Sequence, residues 1–296
     1  MYNPQLETFL RVADAGSFNK AAEESYITPT AVIKQINLLE SGLGVQRFER
    51  THRGLTLTKA GNSLFHDTKY IIQYCSDYVT VAKNAMQDNT NIISIGTSPM
   101  TPAQLLMQLW PKIQSRCPDI KFQVVPFANT PENAREILGN LGKNIDVIGG
   151  IFDETMLELR GCAGTELSHE PFCCAVSVHH RLAAKDKLVL EDLYGEHLLL
   201  MHRDWSHYVD VLRDELWKNH NQIHIIDFDF YSMDVFNRCE NGNDVLLAIP
   251  GWANVHPLLK IIPVEWDYGI PYGLLHAHEP SDTVKRFLAA AKEAAN

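Results

Sequence analysis

Over the first 60 residues, apolar positions recur with the period of α-helices. Leu6, Phe9, Leu10 and Ala13 fall at i, i+3, i+4 and i+7, which predicts a first helix. Gly16 suits its C-terminal end, and Ser17 suits the N-cap of a second helix, "FNKAAEES". Thr28 can cap a third, with Pro29 at the first position, where a missing N–H is harmless. Along that third helix Val32, Ile36, Leu39 and Leu43 form one stripe. Thr30, Lys34, Asn37 and Ser41 form a second at the same spacing, displaced by two residues. Two residues is about 200° of helix rotation, so the stripes lie on opposite sides. The apolar stripe packs on the first two helices and leaves the polar one for a partner.

The period then changes. "VQRFERTHRGLTLTKAG" alternates like two short strands around the turn Thr51-His52-Arg53-Gly54, a hairpin with basic residues near its tip. From Lys59 to about Asp88 there is no proline, and no glycine after Gly61. Leu64, Ile71, Cys75, Tyr78, Ala82 and Ala85 make a seam at spacings of three, four or seven, as in a long helix that pairs with a copy of itself. "QDNTN" ends it as a linker.

Beyond it, strands and helices alternate. "IISIGTS", "IKFQVVPF" and "IDVIGGIF" read as strands separated by helices from about Pro102 to Arg116 and at "TPENAREILGNLG". A second set follows: "FCCAVSV", "EHLLLM", the helix "YVDVLRDELWKNH", "IHIIDFDF" and "DVLLAIP". "LKIIPVEW", "PYGLLHAH" and the helix "SDTVKRFLAAAKEAA" close the chain. The alternation implies parallel pairing with right-handed crossovers, in two α/β lobes.

Length supports this division, since 296 residues suit two or three folding units. No run of about 18 apolar residues is present, so no membrane span is expected. The N-terminus lacks a basic n-region and an unbroken apolar segment, so a cytoplasmic protein is expected rather than a secreted one. The six cysteines, irregularly spaced, then read as reduced thiols, with Cys173-Cys174 as small buried residues of a strand. A formal net charge of -10 argues against uniform binding to nucleic acid, but its distribution is uneven. Residues 1–60 carry seven Lys/Arg against six Asp/Glu, and the rest carry 19 against 30. A locally positive end on an acidic body confines any nucleic-acid contact to that end.

Three small helices and a basic hairpin describe a winged helix-turn-helix, whose third helix fits the major groove. The residues placed to contact DNA are Thr28, Pro29, Thr30, Ile33, Lys34 and Gln35 on the helix, and Arg50, His52 and Arg53 on the hairpin. A merely solvated helix face is the plainer reading of each taken alone. The capped turn and the basic hairpin, in this order, favour DNA.

The first 60 residues also resemble the N-terminal domain of LysR-type transcriptional regulators. The match rests on Phe9, Gly16-Ser17-Phe18, Ala21-Ala22, Gln35-Ile36, Leu39-Glu40, Leu43-Gly44, Phe48, Arg50 and Leu57-Thr58-Lys59-Ala60-Gly61. "DVIGG", "HHRLA", "LEDLYGEHLLL" and "LLAIP" extend it more weakly downstream. Where the family commonly has Ser-Gln this chain has Thr28-Pro29, and Ile33 replaces a Ser, so an operator preference does not carry over. A base-reading amide is missing at Pro29, while Ile33 offers a methyl contact to thymine.

The resemblance implies a multi-domain protein. A winged helix-turn-helix domain would span 1–59, a linker and dimerisation helix 60–90, and an α/β effector-binding domain 91–296, similar to type 2 periplasmic binding proteins. Lobe I would take about 91–164 and 266–296, and lobe II about 165–265. It further implies a double-stranded DNA operator, a small-molecule effector, a dimer through the linker helix, assembly as a homotetramer, and RNA polymerase as a partner at the promoter. No cofactor and no metal are expected.

Ligands of open α/β folds sit beyond the carboxyl ends of strands, near helix N-termini. That selects Thr97, Ser98, Met100, Thr101, Asn129 and Thr130 in lobe I, and His202, Arg203, Tyr231, Ser232 and Pro250 in lobe II. Hydroxyls at a helix start together with Arg203 suit a small anion. Thr97 and Ser98 have the alternative role of helix caps. His276 and His278, alternating on a strand, and the pair His179-His180 make only a weak zinc case without a nearby Cys or acid. Two other classes compete with a regulator. A solute-binding protein would leave the first 90 residues without a purpose, and no nucleophile elbow, P-loop or G-x-G-x-x-G supports an enzyme.

Overall fold

The computed structural model describes residues 2–51, 54–85 and 91–295. The chain divides into two compact units, Met1–Asp88 and Asn89–Asn296.

In the first unit, α1 (Gln5–Ala15), α2 (Phe18–Glu24) and α3 (Pro29–Leu43) are followed by the hairpin β1 (Phe48–Thr51) and β2 (Gly54–Leu57), then α4 (Lys59–Ala85). Gly16 ends α1 in the left-handed region at φ 62°, its N–H donating to the Val12 carbonyl. Thr28 Oγ1 accepts from Ala31 N–H at 3.2 Å and caps α3, with Pro29 in the first turn. Ser17 stands at the N-cap of α2, but its hydroxyl makes no cap bond. Phe9, Val12, Ala21, Ala22, Val32, Ile36, Leu39 and Phe48 form the core, against which Leu64 and Phe65 of α4 pack. Burying such a side chain contributes roughly 1.5–3 kcal/mol. Leu43, expected in the apolar stripe, is 54% exposed; it is the last residue of α3, past the reach of the other helices. The hairpin register runs from Phe48↔Leu57 to Thr51↔Gly54, and His52 and Arg53 come next in the chain after Thr51. Those two lie outside the described residues, as does the side chain of Arg50.

The second unit holds two five-stranded sheets. Its elements are β3 (Ile92–Thr97), α5 (Gln104–Arg116), β4 (Lys121–Pro126), α6 (Pro131–Gly139), β5 (Val147–Ile151), α7 (Glu154–Arg160), β6 (Ala163–Pro171), β7 (Cys173–Ser177), β8 (His197–Met201), α8 (His207–Asn219), β9 (His224–Phe228), α9 (Met233–Asn241), β10 (Val245–Ala248), β11 (Leu259–Pro263), β12 (Gly269–His276) and α10 (Asp282–Ala295). The first sheet has the order β4-β3-β5-β12-β6 and the second β11-β7-β10-β8-β9. Within each, three strands are parallel: β4, β3 and β5 in one, β10, β8 and β9 in the other. The sheets are mixed, however, because β12 runs antiparallel to β5 and β6, and β7 runs antiparallel to β10 and β11.

The first crossing between lobes falls later than the expected boundary near 165. β6 stays paired to β12 as far as Pro171, so the chain changes sheets at Phe172 and returns between Pro263 and Gly269. Thr165, Glu166, Ser168, His169 and Glu170 give β6 a polar composition, and its half-exposed surface hides the alternation that marks a buried strand. β12 ends at His276, so His278 lies past the strand and the expected pairing of the two on one face is lost. His276 Nε2 instead meets Thr165 Oγ1 at 3.0 Å.

Candidate functional site

α3 separates its two stripes as its sequence requires. Val32, Ile36 and Leu39 are buried, whereas Thr28, Pro29, Thr30, Lys34, Asn37 and Ser41 are exposed and Ile33 is half-buried. Gln35 departs from the expectation of a freely presented reader: its Oε1 accepts from Thr8 Oγ1, which ties α3 to α1. A helix start with two hydroxyls, a lysine one turn on and no packing over them leaves donors and acceptors for base edges and phosphates.

In the second unit, the predicted effector residues separate into two groups. Ser98 and Thr101 close a tight turn, each N–H donating to the other's carbonyl and the two hydroxyls 2.8 Å apart. Thr97 Oγ1 accepts from Ala103 N–H at 3.2 Å, so it serves the start of α5. Met100 is buried, and its carbonyl accepts from Trp252 Nε1 at 3.0 Å. Asn129 Nδ2 donates to the Tyr231 carbonyl at 2.8 Å, and Thr130 caps α6 through Asn133 N–H. Loops after β3 and β4 therefore meet loops after β9 and β10. Tyr231 is buried among Trp205, Phe228 and Trp252, its hydroxyl donating to the Leu247 carbonyl, and this burial pushes its pKa up. Ser232 heads α9 without a side-chain cap bond, and Pro250 opens the short turn that carries Trp252.

His202 and Arg203 form the second group. His202 Nδ1 bonds the Arg203 carbonyl at 2.7 Å, and the Arg203 guanidinium pairs with Asp214 on α8. Both are exposed, and these partners belong to lobe II.

Sequence reasoning missed three participants. Asp153 caps α7 through Met156 N–H at 2.8 Å, and its other oxygen accepts from Ser206 Oγ at 2.6 Å and His207 N–H at 2.9 Å. One buried carboxylate thus serves the starts of two helices, one in each lobe. Asp before "ETMLELR" and Ser before "HYVDVLRDELWKN" are ordinary cap signals, but nothing in the sequence links them. Trp252 carried no signal at all.

Other chemistry is accounted for locally. Burial pushes the Cys173 thiol up to about 11 and the Cys239 thiol to about 12, so neither is a thiolate at neutral pH. His180 Nδ1 accepts from Leu182 N–H and its Nε2 faces Glu196 at 3.4 Å. Among the described residues no three His, Cys, Asp or Glu side chains converge as a metal site. No helix among them is long and apolar enough to cross a membrane.

Residues 4–62 match the family described as "Bacterial regulatory helix-turn-helix protein, lysR family", and residues 87–296 match "LysR substrate binding domain". A probable RuBisCO transcriptional regulator of Chlorokybus atmophyticus is 28% identical over 221 residues, 73% of this chain and 67% of that protein. The nitrogen assimilation regulatory protein nac of Klebsiella aerogenes is 27% identical over 159 residues, so the match spans about half of each, 52% in both. In fold, the chain is similar to CbnR, a LysR family transcriptional regulator, with a TM-score of 0.64 at 18% identity, covering all of both chains. The chain belongs to the LysR family of transcriptional regulators, a helix-turn-helix domain followed by a substrate-binding domain.

Proposed function

We propose that this protein is a sequence-specific DNA-binding regulator whose lobes respond to a small anionic effector. The observation that carries the reading is the bare polar side of α3: Thr30, Lys34, Asn37 and Ser41 are exposed behind a Thr28 cap, while the opposite side is buried. Thr28, Pro29, Thr30, Ile33 and Lys34 then meet the major groove, and Arg50, His52 and Arg53 grip the backbone or minor groove beside it. Gln35, held by Thr8, reaches the duplex only through its free amide hydrogens. Of the solved relatives, full-length CbnR has been described complexed with its target DNA, and it shares this fold at a TM-score of 0.61 and 18% identity.

The effector sits where lobe I meets lobe II, among Ser98, Met100, Thr101, Asn129 and Tyr231, with Trp252 added. Hydroxyl, amide and indole donors there suit an acceptor-bearing molecule such as a carboxylate. Arg203, tied to Asp214, lends it no charge. By preferring one arrangement of the lobes, the effector shifts a population and, through it, the spacing of paired winged domains on the duplex. The pairing runs through α4, where Ile71, Tyr74 and Val79 are exposed, with tetramers built from such dimers in the cytoplasm and RNA polymerase as the partner at the promoter.

Footprinting on the DNA beside the chain's own gene tests the reading. The expected result is salt-sensitive protection of two half-sites about 34 Å, or a multiple, apart. Binding that is independent of sequence and salt would overturn it.

A further inference from the structure

Arg47 lies in the joint of the winged domain. Its N–H donates to Glu40 Oε1 of α3 at 2.6 Å, and its carbonyl accepts from Thr58 N–H at 2.8 Å. The start of α4 presses on the same carbonyl, since a Cβ at Gly61 would lie 2.2 Å from that oxygen. The backbone here knits recognition helix, wing and linker helix together.

The side chain does the opposite. It is 1% exposed, among the largest fully buried side chains described, and neither Nη1 nor Nη2 has a hydrogen-bond partner. Its guanidinium carbon sits 5.8 Å from the centre of the Phe9 ring, in the domain's aromatic core. Burial pulls its pKa down, and only the charge of Glu40 opposes that. Glu40 Oε1, however, is already shared by the backbone N–H groups of Arg47 and Phe48. A ring face returns only part of what a guanidinium loses on leaving water, and the four N–H donors of Nη1 and Nη2, without acceptors, add to the deficit. In the α/β unit the buried Arg213 keeps two partners, Met201 O and Asp227, although its Nε has no hydrogen-bond partner.

We propose that the buried, unpaired guanidinium of Arg47 makes the winged domain the weakest-folded unit of the chain, so that warming releases DNA while the α/β domain stays folded. The release of DNA rests on the regulator reading above; the order of unfolding does not.

All five tryptophans, Trp110, Trp205, Trp217, Trp252 and Trp266, belong to the α/β unit, so indole fluorescence follows that unit alone. A thermal ramp of the full chain is therefore read by tryptophan fluorescence, by far-ultraviolet circular dichroism, and by hydrogen exchange of peptides from residues 2–51. Winged-domain peptides should lose protection, and part of the helical signal should go, below the tryptophan transition. A fluorescent duplex, selected by the wild-type chain from a random pool, should dissociate in the same interval. Arg47→Leu and the more adaptable Arg47→Met should raise that first step by about 10 °C or more and leave the tryptophan transition in place. Coincident transitions in the wild type, a first step unmoved or lowered by both variants, or failure of both variants to fold would each overturn the proposal. Ordered unfolding with no duplex selected would leave the weak domain standing and count against the regulator reading alone.

Discussion

The outer side of α3 and the junction of the two lobes are both built from hydroxyls, amides and few charges. They differ in what those groups already do. On α3, Thr30, Lys34, Asn37 and Ser41 stand exposed along one side, and only Ser41 among them bonds back to its own helix, through the Leu38 carbonyl. At the junction Ser98, Thr101, Asn129, Asp153 and Trp252 all bond to the chain itself. A surface left unsatisfied answers to a large partner that brings its own acceptors and donors. A junction satisfied internally must exchange one set of bonds for another, so its residues serve the fold and the ligand together.

That difference predicts opposite phenotypes. Asp153→Ala should destabilise the α/β unit most, by about 3–5 kcal/mol, because three donors, two of them backbone N–H groups, lose one shared acceptor. Denaturant titration followed by tryptophan fluorescence measures it, and a change under about 1 kcal/mol would show that the lobes do not depend on this carboxylate. Next, Lys34→Glu should weaken operator binding by about 10-fold or more, while thermal stability moves by no more than about 0.5 kcal/mol. Lys34→Ala should in addition lower the salt slope of binding by about one. A Lys34 variant that binds normally but unfolds early would erase the contrast between the two regions.

Trp252→Phe comes third. It removes the N–H facing the Met100 carbonyl and some buried volume, and should cost about 2 kcal/mol in the same denaturant titration. The smallest effect is expected for Thr28→Ala, about 1 kcal/mol from loss of the α3 cap, seen as a lower melting step in circular dichroism. If Thr28→Ala weakens DNA binding by more than that cap explains, its hydroxyl also touches the duplex.

Much of the first unit was legible because its signals are local. The turn from Thr28 to Pro29, the 3.6-residue spacing of Val32, Ile36 and Leu39, and the pairing of Phe48–Thr51 with Gly54–Leu57 all involve neighbours close in the chain. β6 was hidden for the opposite reason, since its polar, half-exposed composition has no strand-like pattern until β12, about 100 residues on, supplies its partner. Arg47 was equally hidden: beside Gln46 in a basic segment it reads as a surface charge, and only the folded core, with the Phe9 ring of α1 beside the guanidinium, buries it.

By itself, the sequence determined the order of the strongly patterned elements, the two-sidedness of α3 and the positive end of an acidic chain, since periodicity and charge are properties of short segments. Only the tertiary structure decided that Arg203 turns to Asp214, that Gln35 is held by Thr8, and that Asp153 joins helix starts more than 50 residues apart. A hydrogen bond acts over about 3 Å of space regardless of the length of chain between its partners, so no local pattern encodes it.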